Sequence, residues 1–311
     1  MSLTELPLPV FLAWWALVGL LVGSFLNVAI HRLPLEGESV SKPRRSRCPQ
    51  CKTTLTWREN IPLVSWLVQR GRCRSCGWRI PWRYPLVEAL NAGLWVWIAA
   101  RTWPEHWALG LVQCVVLSGL LVATCVDFAC FEIPDEISIG GMLLAPLVSF
   151  LLPELHAHGA LVAWIDGSRS IEPTRMAALS NSLAGMAVGA GILWGIGWLG
   201  SKLYGRDAMG FGDVKLLGAG GGFVGPGAVL VALMIGALVA SVFGLLNIVR
   251  FALLVRARAR RRGGRKGLGK TLAVARVAGR YLPFGPFLAL GIAAVLLAWQ
   301  DLRPWLPFAW F

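Results

Sequence analysis

The chain has 311 residues, is 56% hydrophobic and 15% charged, and carries a formal net charge of +14. Those totals exclude a typical soluble domain, which is about a quarter charged, and a disordered chain, which is poor in apolar residues. Long apolar runs alternating with two basic blocks predict an all-α polytopic integral membrane protein with about eight transmembrane helices.

The first apolar run, 8–30, is long enough to span and lacks the look of a removed leader at Gly23-Ser24. Residues 31–84 carry 12 Lys/Arg against three acids, Glu36, Glu38 and Glu59. Basic loops stay cytoplasmic, so this segment is expected inside. Further spans are predicted at 85–103, 106–125, 137–153, 179–200, 214–225, 227–249 and 282–299. Between the last two lies a second block, 250–280, with 11 Lys/Arg and no acid. With 31–84 inside, six crossings return that block to the cytoplasm, whereas five or seven put it outside. Charge therefore supports the short, glycine-rich span at 214–225. The blocks are read as topology signals that also attract anionic lipid. Nucleic-acid binding is not expected, since no stacking-aromatic or DNA-binding motif accompanies the Arg run. The count places 154–178 outside. Trp14, Trp15, Trp103, Trp107 and Trp305, near span ends, are expected to be interfacial anchors. The division is 1–30, a first membrane helix; 31–84, a small cytoplasmic cysteine-bearing domain; and 85–311, a membrane-embedded domain with the basic loop 250–280.

Within 31–84, Cys48-Pro49-Gln50-Cys51 and Cys73-Arg74-Ser75-Cys76 form two CxxC pairs separated by 21 residues. Four thiolates on two tight turns suit a tetrahedral structural Zn2+ site with no open position. A cytoplasmic location argues against disulfides; a redox dithiol pair is the alternative. Cys114, Cys125 and Cys130 lack pair spacing and are read as small packing residues.

Two carboxylates fall at cytoplasmic ends of apolar runs: Asp127, after the third, and Asp213, at the start of the sixth in Gly210-Phe211-Gly212-Asp213. Ionisable groups at that depth are functional candidates. If the two approach, they supply an acid and a base together, enough to activate water and protonate a leaving amine. The alternative is that each caps a helix or reaches to the interface. Gly210 and Gly212 would let backbone or substrate come close to Asp213. Gly218, Gly220, Gly221 and Gly222 would let that helix pack tightly on a neighbour. Glu132, Asp135, Glu136 and Asp207 form a smaller acidic set at the same boundary, suited to meet a basic segment, and Lys215 is placed to tune Asp213 or meet an acidic substrate group. Intramembrane acids also suit a transporter or channel with a proton relay, but that reading leaves the cysteines and the GxGD glycines unexplained. A zinc-binding assembly factor without activity is a third reading.

Five stretches in order resemble the type IV prepilin peptidases: Gly23-Ser24-Phe25-Leu26-Asn27 through Pro34, the paired CxxC loop with Ile61-Pro62-Leu63, Asp127 with Ile133-Pro134-Asp135, Gly210-Phe211-Gly212-Asp213-Val214-Lys215, and Pro283-Phe284-Gly285-Pro286-Phe287. The resemblance implies an aspartic peptidase of the bacterial inner membrane with its active site facing the cytoplasm. Asp127 and Asp213 would be the catalytic pair, cutting a short basic leader from prepilins or type II secretion pseudopilins after glycine. It also implies N-methylation of the new N-terminus with S-adenosylmethionine as donor, for which Glu88 and the 31–84 loop are candidates. The leader is expected to meet Glu132, Asp135 and Glu136, while the basic loop faces lipid.

Overall fold

The structure is a computed structural model and describes residues 7–35, 40–41, 45–156, 174–205, 209–261 and 282–302, with side chains omitted for 258–261 and 299–302. Asp207, Trp305, residues 157–173 of the outer loop and residues 262–280 of the second basic block lie outside the described residues. Nine α-helices occur among them: α1 (Leu8–Arg32), α2 (Val64–Val68), α3 (Arg83–Thr102), α4 (Trp107–Cys130), α5 (Asp135–Leu151), α6 (Arg175–Tyr204), α7 (Phe211–Val224), α8 (Pro226–Arg261) and α9 (Gly285–Leu302). No strand forms there; two isolated β-bridges sit in the cysteine segment. Each of the eight apolar runs falls on a helix. Four of these (α1, α4, α6 and α8) are long and apolar enough to cross a membrane.

Two helices outrun their expected C-terminal ends furthest. α8 continues through Val249 to Arg261, into the basic block read as loop. The sequence there, Leu253-Leu254-Val255-Arg256-Ala257, is rich in strong helix formers, so the helix does not stop where the apolar run stops. α4 continues to Cys130, placing Asp127 within its last turn.

α1 packs along α3, and α4 closes the group. Gly19 and Gly23 of α1 lie against the backbone of Ala92 and Glu88: a Cβ added there would stand 2.9 Å and 2.8 Å from those Cα atoms. Apolar packing alone is a weak glue between helices in lipid, and polar pairs add to it. Here Asn91 Nδ2 donates to Gly19 O at 2.8 Å, and Ser118 Oγ lies 2.8 Å from Asn91 Oδ1. Trp95 Nε1 donates to Ser118 Oγ at 3.0 Å. Trp15 and Trp103 depart from the anchoring expectation. Trp15 is buried against Trp95 and Phe11, and Trp103 stacks on Phe11 with ring centroids 3.8 Å apart. Trp14 stays exposed.

α7 is the inner helix of the second group, packed by α5, α6, α8 and α9. Its 14 residues reach about 21 Å, short of a ~30 Å hydrocarbon core. Every residue from Leu216 to Phe223 is buried. Gly221 touches Gly185 of α6 so closely that a Cβ on either would collide with the other's carbonyl oxygen. The glycine run thus seats α7 against several neighbours, rather than the single one expected.

At the far end of α5 from Asp135, a 3-10 turn (Pro153–His156) buries His156 between Ser149 of α5 and Asn181 of α6. Asn181 Nδ2 donates to Nδ1 at 2.7 Å, which leaves Nε2–H to donate to Ser149 Oγ at 2.9 Å. Burial pushes the His156 pKa down to about 4. The neutral ring stabilises the fold fully above the unfolded value near 6.5, and that stability is lost as pH falls towards 4. Thermal unfolding in detergent should show a loss of roughly 2 kcal/mol between pH 7.5 and pH 5. His156→Gln should remove most of that slope, and an unchanged slope would show that His156 is not its source.

Candidate active site and metal centre

Asp127 and Asp213 are 86 residues apart in sequence but line one open cavity of about 510 Å³. Asp127 arrives in the last turn of α4. The helix ends at Phe131, whose φ of +60° turns the chain and whose N–H returns to Asp127 O at 2.9 Å. Pro134 then holds extended backbone and starts α5. Asp213 arrives in the first turn of α7, after Gly210.

The capping alternative does not describe either residue. The N-cap of α7 is Gly210, with no side-chain cap bond. Asp127 is only 5% exposed, and its Oδ2 is buried without a hydrogen-bond partner. An orphaned carboxylate oxygen is costly in any protein interior and more so at membrane depth.

Gly212 lies against Ile133, where a Cβ would stand 3.2 Å away, which locks the α7 start to the α4–α5 turn. Gly210 stands beside Asp213, a Cβ position there being 3.8 Å from Oδ2. Gly285, at the start of α9, lies against the other aspartate: a Cβ would come within 2.5 Å of Asp127 Oδ2 and 2.9 Å of Ile133 Cδ1. Sequence reasoning quoted the Pro283–Phe287 stretch without giving Gly285 a role. A Pro-x-Gly-Pro turn leading into an apolar run was the available signal.

Glu132, Asp135, Glu136 and Lys215 also line the cavity. Lys215 forms an ion pair with Asp135, joining the starts of α5 and α7. Asp135 is therefore already engaged, which leaves the exposed Glu132 and Glu136 as the acids of the expected set without an ion pair among the described residues.

The cysteine segment sits on the other side of the α1 exit. Its two CxxC turns repeat one design. Cys48 N donates to Thr53 O at 3.0 Å and Lys52 N to Cys48 O at 2.9 Å; Cys73 N donates to Trp78 O at 2.9 Å and Gly77 N to Cys73 O at 2.9 Å. Lys52 and Gly77, each four residues after the first cysteine, both have positive φ. The four sulfurs lie within 4.8 Å of one another, with Cys48 and Cys76 at 3.9 Å, and none is in a disulfide. Thiolates around a metal at ~2.3 Å stand ~3.8 Å apart, so the donor set fits a tetrahedral ion. Thr53 at Cys51 pulls that thiol's pKa down, while burial and the neighbouring thiols push Cys76 up, so the four thiols share their protons unequally. Of the remaining cysteines, Cys114 is buried in the core as expected and Cys130 is exposed.

The segment is tied to the helices through Glu88 of α3. This side chain is 8% exposed, and its Oε2 accepts from Leu63 N at 2.8 Å, holding Leu63 at φ +59°. A second cavity of about 140 Å³ lies here, bordered by Glu88, Trp66, Trp78, Cys48 and Cys73.

Residues 17–102 match the Bacterial Peptidase A24 N-terminal domain, and residues 114–245 match the Type IV leader peptidase family. A Prepilin leader peptidase/N-methyltransferase of Aeromonas hydrophila is 32% identical over 312 residues, covering 92% of this chain and 89% of the relative. The Type 4 prepilin-like proteins leader peptide-processing enzyme of Escherichia coli O78:H11 is 33% identical, with 90% and 91% covered. A Prepilin leader peptidase/N-methyltransferase of Myxococcus xanthus is 36% identical over 242 residues, 78% of this chain and 64% of the relative's length. No solved structure matches the chain.

The four-thiol cage makes a direct prediction. Purified protein should carry about one metal ion per chain by elemental mass spectrometry, and Cys48→Ser with Cys73→Ser should bring it near zero. Equal metal content in the two proteins would exclude the cage as its seat.

Proposed function

Because the chain belongs to the type IV leader peptidase family, we propose that it removes the short basic leader of prepilins or pseudopilins by direct hydrolysis between Asp127 and Asp213. The observation that carries this reading is the convergence of both aspartates, from α4 and α7, on one cavity. One carboxylate takes a proton from a cavity water as its oxygen attacks the carbonyl carbon of the scissile glycine. The other, protonated, donates to the carbonyl oxygen. Collapse of the tetrahedral adduct breaks the C–N bond, and a proton passes to the departing amine. No covalent enzyme intermediate is needed.

The surrounding residues position rather than react. Gly212 against Ile133 and Gly285 against Asp127 hold the three helix ends together. The Lys215–Asp135 pair ties α5 to α7 at the cavity mouth. Glu132 and Glu136 meet the basic leader. In this reading the active site faces the cytoplasm, the bilayer is the inner membrane, and eight helices lie in it, with the short α7 enclosed by its neighbours.

The cysteine cage holds Zn2+, which folds residues 45–80 and leaves no open position for chemistry. The relatives' names couple leader removal to N-methylation, and S-adenosylmethionine is the donor in our reading. The 140 Å³ cavity beside Glu88 offers a carboxylate and two indoles, but ligand sites span about 300–1,000 Å³. It does not take a whole donor molecule in this conformation, so no methyl-transfer step is assigned to residues here.

Cleavage of a prepilin in detergent, followed by mass spectrometry, tests the assignment. Asp127→Asn and Asp213→Asn should each lower kcat by about 10³-fold or more while leaving metal content unchanged. Ion flux in vesicles with intact processing by both variants would overturn it.

A further inference from the structure

We propose that an apolar groove between α4 and α5 seats the hydrophobic helix of the substrate, the segment just beyond the bond to be cut. The inference rests on the leader-peptidase reading above. The groove has a volume of about 360 Å³ and is lined by α4 and α5, with α7 and Ile292 of α9 behind it. α4 and α5 are consecutive yet touch each other less than α4 touches α1, α3 or α9 and less than α5 touches α6 or α7, which leaves this gap.

Two walls, α5 and α7, run without interruption from the aspartate cavity into the groove, and α4 borders both spaces, with residues 121–125 between them lining neither. α4 lines the cavity at Val126 and Asp127 and the groove from Leu120 back to Val115. α5 does so before and after Glu136, which borders both spaces. α7 lines the cavity up to Lys215 and the groove from Leu216 to Phe223. From Asp213 to Phe223 the helix rises about 15 Å. A chain whose scissile bond lies at Asp127 therefore has an apolar groove leading on along α5 and α7.

The glycines point the same way. Gly220 and Gly141 border the groove because internal packing requires them: a Cβ on Gly220 would stand 2.5 Å from Ile292, and one on Gly141 would stand 3.1 Å from Ala219. Gly119 and Gly140 answer no such need. A Cβ on Gly140 would meet nothing within 4 Å, and one on Gly119 only Ile137 at an ordinary 3.7 Å. Glycine inside a helix costs about 1 kcal/mol relative to alanine. Gly93, Gly191, Gly195 and Gly244 are equally open, but they border neither space. Open glycines on both walls of a groove let another helix approach backbone to backbone. The volume suits one face of a helix rather than its whole girth. Apart from Glu136 at its cavity end, the lining is uncharged, as an apolar occupant requires.

The test compares two substrates: a full prepilin with its helix, and a short peptide that spans the scissile bond and stops before the helix. Gly119→Leu with Gly140→Leu fills the groove. It should lower kcat/KM for the full prepilin about tenfold or more and leave the short peptide unchanged. Equal effects on the two substrates, or none, would overturn the proposal. A photo-crosslinking residue at Val115, without the glycine changes, gives a second measurement. It should capture the prepilin helix, whereas one at the lipid-facing Leu183 of α6 should not; capture at 183 and not at 115 contradicts the groove. Failure of the leader-peptidase reading looks different: the unsubstituted protein then cleaves neither substrate, and Asp127→Asn cleaving both normally would remove the aspartate assignment alone.

Discussion

Gly221 of α7 lies directly on the backbone of Gly185 of α6, and the position of Asp213 follows from that contact. α7 is too short to span on its own and too poor in large side chains to hold itself by knobs and holes. It is held because its glycine face admits α6, while Gly222 lies on Ala145 of α5 and Gly220 on Ile292 of α9. A helix clamped from several directions presents its first turn at a fixed depth. Asp213 is in that turn, facing the cavity into which Asp127 also projects. Helix association in lipid relies on close packing and polar pairs rather than on the hydrophobic effect, so small residues carry here the load that large apolar ones carry in a soluble core.

The other half of the molecule solves the same problem with polar groups. Gly19, Asn91, Ser118 and Trp95 link α1, α3 and α4 through short hydrogen bonds inside the apolar layer. The cysteine segment is tied to this half by Glu88, which accepts from the strained Leu63. The α1 exit separates the two cavities. His31 and Arg32 border the one beside the cysteines, and Leu33 and Pro34 border the one with the aspartates. The two cavities are thus neighbours across one turn of chain.

Much of this was legible in the sequence, because one physical signal governed each part. Apolar run length located eight helices, and charge parity rescued α7, whose hydropathy alone was marginal. CxxC spacing located the thiol cage, since four sulfurs on two equal turns have few other arrangements. Depth in the apolar layer singled out Asp127 and Asp213. What stayed hidden depended on partners from distant segments. Nothing local says that Lys215 pairs with Asp135, that Gly285 lies on Asp127, or that Glu88 caps the backbone at Leu63. The inward turn of Trp15 and Trp103 was hidden for the same reason, since a tryptophan near a span end reads as an anchor until a neighbouring helix offers it a pocket. The extent of α8 was missed because apolarity marks where a helix meets lipid, while backbone propensity decides where it ends.

The account stands on the meeting of two carboxylates from α4 and α7. The most direct measurement places cysteines at 127 and 213 in a protein whose Cys125 and Cys130 are serine and whose four-thiol cage is intact, and then adds a short thiol-specific cross-linker. The account predicts an intramolecular link between the α4 and α7 fragments after proteolysis, in yield comparable to single-site labelling. Efficient labelling of each cysteine with no link between them would place the two positions in separate environments and contradict it.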